Sequence, residues 1–255
     1  MSSGYRLGAP SAAGFSLVEL ILALSLSALL MLGLIQVVSA ASASARLQRN
    51  QAQIQEHARH AVAVLRRAVQ SAGFNPEPWN GNQVGPLLAD ETSDGVSRNS
   101  DRLALRTWSD LNCYDNVNPV EDEAGNPRFF IRESVFDLSG DKNLTRRCRY
   151  GPSPGELVTQ IRRQGLVPGV EAFQVLFGRD SNGDGGADTW VRAGAWDNTE
   201  SLLGLRFGLL FSSDDQVTKR EPRVFRILDT EVTPRADGKL RRKIQFSASF
   251  KGRGG

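Results

Sequence analysis

Residues 15–45 read FSLVELILALSLSALLMLGLIQVVSAASASA, a long apolar run near the N-terminus. Its one ionisable side chain is Glu19, and Arg46 ends the apolar run. About 20 apolar residues are enough to cross a bilayer as a helix, so the segment is long enough to do so. We therefore predict a single-pass membrane helix that anchors the rest of the chain outside the cytoplasm.

The residues before this helix indicate processing. A secretory signal peptide places its small residues and its cleavage site after a shorter apolar region. Here the small residues SAAG, at positions 11–14, come before the apolar run. Cleavage after Gly14 would remove a hydrophilic leader, residues 1–14, and keep the helix as an anchor. It would also create a new α-amine on Phe15.

Glu19 is the unusual residue of the segment. An acidic side chain inside a membrane helix costs about 2.5 to 3.5 kcal/mol, so it needs a partner. Glu19 lies one helical turn after Phe15. The amine of Phe15 on a neighbouring copy, shifted along a helix bundle, would offset the desolvation of this carboxylate. The alternative is that Glu19 lies at the membrane interface and reaches water.

The heptapeptide GFSLVEL at residues 14–20, followed by an apolar run, resembles the class III signal of type IV pilins and type II secretion pseudopilins. This resemblance implies cleavage after Gly14 by a prepilin peptidase, N-methylation of Phe15 and a subunit assembly role for Glu19. It also implies an inner-membrane anchor with a periplasmic domain. The leader differs from the family pattern, because Arg6 is its only charged residue and no basic residue stands just before Gly14.

Beyond the membrane segment the apolar periodicity of a helix continues to Gly73, where Gly73 and Pro76 predict its end. The apolar positions of this stem share one helical face: Leu47, Ile54, Ala58, Ala61, Val62, Leu65 and Val69. We expect residues 15–73 to form one helix whose second half packs on a sheet. The only two histidines, His57 and His60, lack an acidic or thiol companion, so we interpret them as surface residues.

Residues 74–255 have the sequence pattern of a β-rich globular domain, with short apolar or alternating runs separated by Gly, Pro, Asn and Asp. The predicted strands are 103–108, 128–136, 156–163, 172–177, 189–193, 202–211, 224–232 and 239–250. The turn residues at 233–238 predict a closing antiparallel hairpin between the last two strands. The expected fold class is α+β, a long N-terminal helix packed on a C-terminal antiparallel β domain.

A narrower resemblance lies in residues 167–190, VPGVEAFQVLFGRDSNGDGGADTW. A GVE-type strand that leads into an Asp/Asn/Gly loop is similar to PilW-type minor pilins of the type IV pilin-like superfamily. Together with the helix signature it covers about a third of the chain. The resemblance implies a type IV pilin-like fold and a structural role in pilus assembly.

The same loop contains candidate calcium ligands. Side-chain oxygens at positions 1, 3, 5 and 9 of a calcium loop, and one backbone carbonyl, would come from Asp180, Asn182, Asp184, Asp188 and Gly186. Position 12 is Val191, where an EF-hand has a bidentate Glu, so a complete site needs water or another carboxylate. The alternative is a solvated turn between two strands.

The chain has two cysteines, Cys113 and Cys148, both in polar, turn-rich sequence where a free thiol gains little from burial. In an oxidising compartment this pair predicts a structural disulfide. The alternative is two separate thiols.

Composition argues against several classes of function. The chain of 255 residues has 31 basic and 28 acidic side chains, so its net charge of +3 gives no strong case for nucleic acid as a partner. The basic clusters at 146–147, 162–163 and 241–243 are more typical of solvated strand faces. No nucleophile motif or phosphate-binding glycine motif is present, so we do not expect an enzyme.

These observations favour a structural assembly protein, a minor pilin of a type IV pilus. The resemblance implies other minor pilins, the major pilin and the inner-membrane assembly platform as partners, in a complex that initiates pilus assembly or forms its tip. It further implies a tip adhesin as cargo, twitching motility and adhesion. Two alternatives stay open, a J-type minor pseudopilin of type II secretion and a tip module that binds DNA or a surface ligand.

Overall fold

The computed structural model describes Gly14 and residues 16–80, 84–97, 100–196, 201–217 and 223–250. The chain forms two compact units, Met1–Gln48 and Arg49–Gly255. The first unit is helical from Leu17 onward. The second contains the continuation of that helix and every strand in the described part of the chain.

Helix α1 spans Leu17–Ser71. It stops where the sequence predicts, because Gly73 takes a φ of 76°, a left-handed conformation that glycine adopts without strain. The N–H of Gly73 donates to the carbonyl of Arg106 at 2.9 Å and so directs the chain onto a sheet. The residues of α1 that are buried in the second unit share one face: Asn50, Ile54, Ala58, Ala61, Leu65 and Val69. The predicted stripe is confirmed at Ile54, Ala58, Ala61, Leu65 and Val69, whereas Val62 is half-buried and Leu47 is exposed.

The strands of the second unit follow in chain order, with short 3-10 helices at Pro78–Asn80 and Pro154–Glu156. They are β1 (Ser93–Ser97), β2 (Ser100–Ser109), β3 (Phe130–Leu138), β4 (Leu144–Gly151), β5 (Val158–Val167), β6 (Val170–Arg179), β7 (Thr189–Val191), β8 (Leu202–Gln216), β9 (Phe225–Ile227), β10 (Thr230–Val232) and β11 (Lys239–Ser249).

These strands build two antiparallel sheets. The first has the order β1-β2-β3-β4-β5, so each strand pairs with its neighbour in sequence. The second has the order β11-β8-β6-β7, with β8 paired to both β6 and β11. Strands β9 and β10 form a separate two-stranded ladder. The expected architecture, a long N-terminal helix packed on antiparallel β-structure, is confirmed.

One hydrophobic core joins α1 to both sheets. It contains Leu65 of α1, Phe136 of β3, Phe173 of β6 and Phe207 of β8. The ring of Phe207 stacks with Phe173 at 6.2 Å between centroids and with Phe246 of β11 at 4.9 Å. Each fully buried side chain of this size contributes about 1.5–3 kcal/mol, so burial is the main force that holds the helix on the sheets.

The two sheets are also connected by side chains of β2 that accept hydrogen bonds from the backbone of β6. The Oγ of Ser100 accepts the N–H of Phe173 at 3.1 Å, and Oδ2 of Asp101 accepts the N–H of Val175 at 2.7 Å. Strand β7 pairs with β6 only at the end of β6, from Phe177 onward. Ser100 and Asp101 therefore satisfy N–H groups of β6 where no strand pairs with that edge.

The expected closing hairpin is wrong. Residues 224–232 form the short pair β9 and β10, with a turn at Leu228, rather than one strand. Strand β11 pairs with β8 instead, in a ladder that runs from Lys239 opposite Gln216 to Ser249 opposite Gly204. The fifteen-residue β8 offers β11 a partner of matching length, which the three-residue β9 does not.

Strands β1 and β4 were not predicted. The sequence of β4, LTRRCRYG, contains three arginines, and these hide the apolar alternation that identifies a strand. The helix-side residues of β4 are nevertheless buried, as Leu144, Cys148 and Tyr150 show.

Candidate functional site

The start of α1 is a capping box. The backbone N–H of Ser16 donates to Oε2 of Glu19 at 3.1 Å, and the hydroxyl of Ser16 accepts the N–H of Val18 at 3.3 Å. Ser16 is therefore the N-cap, and Glu19 is the third helical residue, whose carboxylate closes the box. The S-x-x-E pattern of residues 16–19 is the sequence signature of this box. Glu19 thus has a local partner at the helix end.

The apolar half of α1 is exposed in the single chain. Its large apolar side chains between Leu17 and Val38 are 56 to 75% exposed. A contiguous apolar surface of this extent marks a membrane or protein interface. By length and composition, α1 contains a segment that is able to cross a membrane.

The predicted processing site is described only in part. Gly14 is exposed, which suits a peptidase site. Phe15 and the leader residues 1–13 lie outside the described residues. Cleavage after Gly14 and N-methylation of Phe15 stay predictions.

The predicted calcium loop joins β6 to β7, and its residues 181–188 are exposed. The carboxylate of Asp180 accepts three backbone N–H groups, those of Asn182, Gly183 and Gly185. Gly183 and Gly185 both take positive φ, as such a tight turn requires. The loop is therefore folded around Asp180, its first predicted ligand.

The amide of Asn182 lies between two other predicted ligands. Its Nδ2 donates to Oδ2 of Asp184 at 3.1 Å and to Oδ1 of Asp188 at 3.3 Å. Its Oδ1 accepts the N–H of Asp184 at 2.9 Å, so a cation between the two carboxylates would require this amide to rotate and give up that bond. The N–H of Gly186 donates to Oδ1 of Asp184 at 2.8 Å. Hydrogen bonds from the hydroxyl and N–H of Ser181 hold the pKa of Asp188 below its usual range, so this carboxylate is ionised at neutral pH.

Carboxylates alone do not complete a metal site in this loop. No three His, Cys, Asp or Glu side chains form a metal-binding group within the part of the chain that the structure describes. Calcium binding would therefore depend on amide and carbonyl oxygens and on water, as the residue at position 12, Val191, already indicated. The calcium site stays a prediction.

The expected disulfide is present. Cys113 and Cys148 are joined, with an S–S distance of 2.02 Å and a Cα–Cα distance of 5.8 Å. Both are fully buried, together with Tyr150 and Ile161. Burial raises the pKa of Tyr150 to about 12, so the Tyr150 hydroxyl stays neutral and donates to the carbonyl of Ser109 at 3.1 Å. The bridge fixes the long β2–β3 connection to the middle of β4.

Successive side chains of a β-strand point to opposite faces of the sheet, and this separates the members of the basic clusters. Arg146 lies on the side of β4 that faces α1, whereas Arg147 pairs with Glu91 on the opposite side. On β11, Arg241 is 5% exposed and binds Glu171 at 2.6 Å. Neighbouring basic residues in the sequence therefore do not form common basic surfaces at these two places.

The sequence did not indicate a buried ionic network on the outer face of the first sheet. Glu133 of β3 is 1% exposed and contacts both Arg106 of β2 and Arg149 of β4 at 2.5 Å. Arg149 also binds Glu91 at 2.8 Å, which attaches the segment before β1 to the sheet. A buried carboxylate of this kind depends on its cationic partners, so the network fixes the register of β2, β3 and β4.

Comparison with known proteins finds two family models that match parts of the chain. Residues 10–35 match the prokaryotic N-terminal methylation motif, and residues 129–250 match the family described as type IV pilus-assembly protein W. No curated protein sequence matches the chain. Among solved structures, a type IV-like pilin from Thermus thermophilus is similar at 14% identity and a TM-score of 0.47, over 78% of this chain and 97% of that chain.

The methylation motif at the head of the long apolar helix makes the chain similar to type IV pilin-like proteins. The chain is also similar to PilW-type minor pilins, because the match to that family extends over the globular domain from β3 to β11.

Proposed function

We propose that this protein is a minor pilin of a type IV pilus, which acts in a complex that initiates pilus assembly or forms the pilus tip. The observation that carries the proposal is the match of residues 129–250 to the PilW family on a chain that begins with the methylation motif. The exposed apolar half of α1 supports it, because such a surface suits helix packing against other pilins. Twitching motility and adhesion are the cellular activities that this role would support.

In this proposal the chain enters the inner membrane once, with the globular domain in the periplasm, and is later incorporated into the fibre at the cell surface. Prepilin peptidase removes residues 1–14, and the N-terminal amine is methylated on Phe15. The disulfide between Cys113 and Cys148 supports a periplasmic domain, since such bonds persist in oxidising compartments. The role is structural, as in other pilin-like proteins, and involves no catalysis by this chain.

The proposed partners are other minor pilins, the major pilin, the inner-membrane assembly platform and a tip adhesin. Glu19 is the residue proposed to make the contact in the helix bundle. Its capping bond to Ser16 uses one of the acceptor positions on the carboxylate, and the others are available to the α-amine of a neighbouring subunit.

Deletion of the gene in its own host tests this function. We expect loss of twitching motility and of surface pili, with normal export of secreted enzymes, and recovery of both when the intact gene is restored. The opposite pattern, normal twitching with loss of exoprotein secretion, would replace the proposal by the first alternative, a J-type minor pseudopilin of type II secretion.

The second alternative is a tip module that binds DNA or a surface ligand directly. Binding of DNA by the full chain, with an affinity that falls steeply as salt is raised, would favour this module. The ion pairs of Arg147 and Arg241 with acidic side chains weaken the case for it, because those guanidinium groups are already neutralised.

Calcium is a proposed ligand of the loop between β6 and β7. The arrangement of Asp180, Asn182, Asp184 and Asp188 around one turn supports it, with Gly186 as the carbonyl donor. Its proposed effect is to hold the loop rigid at the exposed surface of the domain.

A further inference from the structure

Helix α1 and the first sheet border a cavity of about 350 Å³ in the second unit. One wall is formed by α1, with His60 and Arg67, and the opposite wall by the sheet, with Arg132 of β3 and Arg146 of β4. The chain between β2 and β3 contributes Asp115. A volume of this size is at the lower end of the range that small-molecule sites occupy in proteins.

The cavity has an excess of positive charge. Four arginines line the cavity, and one of them, Arg106, is paired with Glu133. The other three, Arg67, Arg132 and Arg146, share the cavity with one carboxylate, that of Asp115, which leaves an excess of two positive charges when His60 is neutral. Asp115 is 65% exposed and binds Arg132 at 3.0 Å. Within the described residues, no carboxylate pairs with Arg67 or Arg146. Charge in the cavity is therefore compensated only in part.

The two sheet arginines are held in place by neutral groups. Arg132 donates to the carbonyl of Asn112 at 3.3 Å. Arg146 donates to the carbonyl of Cys113 at 2.9 Å and to Oε1 of Gln164 at 3.2 Å, while its Nε is buried with no hydrogen-bond partner in the described structure. Burial lowers the pKa of Arg146; the charge of Asp115 opposes this shift, and the charge of Arg132 adds to it. A buried cation with an unused donor is costly unless an acceptor approaches it.

We propose that this cavity binds an oxyanion of the phosphate class, held by Arg67, Arg132 and Arg146. Planar guanidinium groups match the oxygens of a phosphoryl group, and charge-assisted bonds of this kind are the strongest hydrogen bonds in proteins. The anion would neutralise the excess charge between α1 and the sheet. It would thereby strengthen the attachment of the stem helix to the domain. The site does not depend on the proposed role in pilus assembly.

The test uses the full chain in detergent micelles, titrated with inorganic phosphate by calorimetry at constant ionic strength. Arg67→Gln is the informative variant, because Arg67 is exposed on α1 and its loss should not disturb folding. Arg66→Gln is the matched control. Arg66 is the preceding residue and is also exposed, but it lies over the ring of Phe246 at 5.9 Å and lines a different groove.

We expect wild type and Arg66→Gln to bind phosphate with the same affinity, and Arg67→Gln to bind about tenfold more weakly. Arg132→Gln should weaken binding by a similar factor, which keeps the site testable if Arg146→Gln fails to fold. Absence of phosphate binding by the folded wild type, or equal affinities in Arg66→Gln and Arg67→Gln, would overturn the proposal. A parallel titration with glycerol 3-phosphate distinguishes the source: tighter binding of the ester than of phosphate favours a phosphate ester, and weaker binding favours free phosphate.

Discussion

The backbone N–H of Ser16 donates to Oε2 of Glu19 at 3.1 Å, so the one carboxylate of the apolar run is fixed at the start of its own helix. This bond offsets part of the cost of placing a charge at the edge of a membrane. It also orients the side chain. A carboxylate can accept about four hydrogen bonds, so one capping bond leaves Glu19 able to receive the amine of a neighbouring subunit. Helix capping and subunit assembly are therefore compatible roles for Glu19.

Substitution of Glu19 by alanine should impair incorporation of the protein into pili and leave cleavage after Gly14 intact. Alanine removes both the capping bond and the proposed acceptor of the Phe15 amine. The measurement is the amount of the protein in sheared pili against the amount of mature protein in the membrane. Ser16→Ala is the control, because it loses the hydroxyl cap and keeps the carboxylate. Normal incorporation of Glu19→Ala would rule out the pairing with the neighbouring amine.

The stability of the globular domain should decrease as pH rises from about 4 to 7. Burial raises the pKa of Asp101 from 3.8 to about 7. The folded protein therefore holds a proton in this window that the unfolded chain has released, so the free energy of unfolding falls with pH by up to about 4 kcal/mol. Thermal melts at pH 5 and pH 8 measure the effect.

Asp101→Asn should remove most of this pH dependence, because the amide stays neutral and still accepts the N–H of Val175. Substitution of the exposed Asp90 by asparagine is the control and should leave the dependence unchanged. A variant Asp101→Asn with the full wild-type dependence would place the titrating group elsewhere.

Loss of the disulfide should destabilise the domain. The bridge closes a segment with a sequence separation of 35, which in the chain-entropy model is worth about 4 kcal/mol. We expect the double substitution Cys113→Ser and Cys148→Ser to lower Tm by about 10 °C. Mass spectrometry after alkylation without reductant should show no labelled cysteine in wild type. Labelling of both thiols in protein from the periplasm would contradict the bond.

Calcium should raise the Tm of the wild-type protein relative to a sample with chelator, if the loop between β6 and β7 binds the ion. Asp184→Asn should abolish this rise, since it removes a charge beside Asn182 and Asp188. Asp122→Asn is the matched control, because Asp122 also accepts N–H groups of its own exposed turn but belongs to a different loop. An unchanged Tm of wild type with calcium would remove the metal hypothesis.

The sequence predicts local features of this fold well. Apolar periodicity predicts the length of α1 and its buried face from Ile54 to Val69, and one glycine predicts its end near Gly73. Periodicity and a glycine are both local properties of the sequence. The disulfide could be predicted because Cys113 and Cys148 are the only two cysteines. Each of these predictions needs no knowledge of how distant strands pair.

The sequence does not predict long-range pairing. The partner of β11 is β8 rather than its neighbour β10, a choice that depends on strand length and on the contact of Phe207 with Phe246. The cationic cavity also depends on contacts between distant segments, since Arg67, Arg132 and Arg146 come from a helix and two strands. In the sequence Arg146 stands beside Arg147, yet the two lie on opposite faces of β4, and only Arg146 lines the cavity.

The bond between Cys113 and Cys148 has a mechanical consequence for the proposed role, in which the protein would lie in a fibre under tension. A stretched polypeptide extends by about 3.4 Å per residue, so the bridge shortens the length to which the unfolded chain can be stretched by about 120 Å. Force applied through α1 and the end of β11 would thus bypass β3 and most of the β2–β3 connection, which stay inside the covalent loop. Oxidised and reduced protein should therefore differ in contour length by this amount when single molecules are unfolded by pulling.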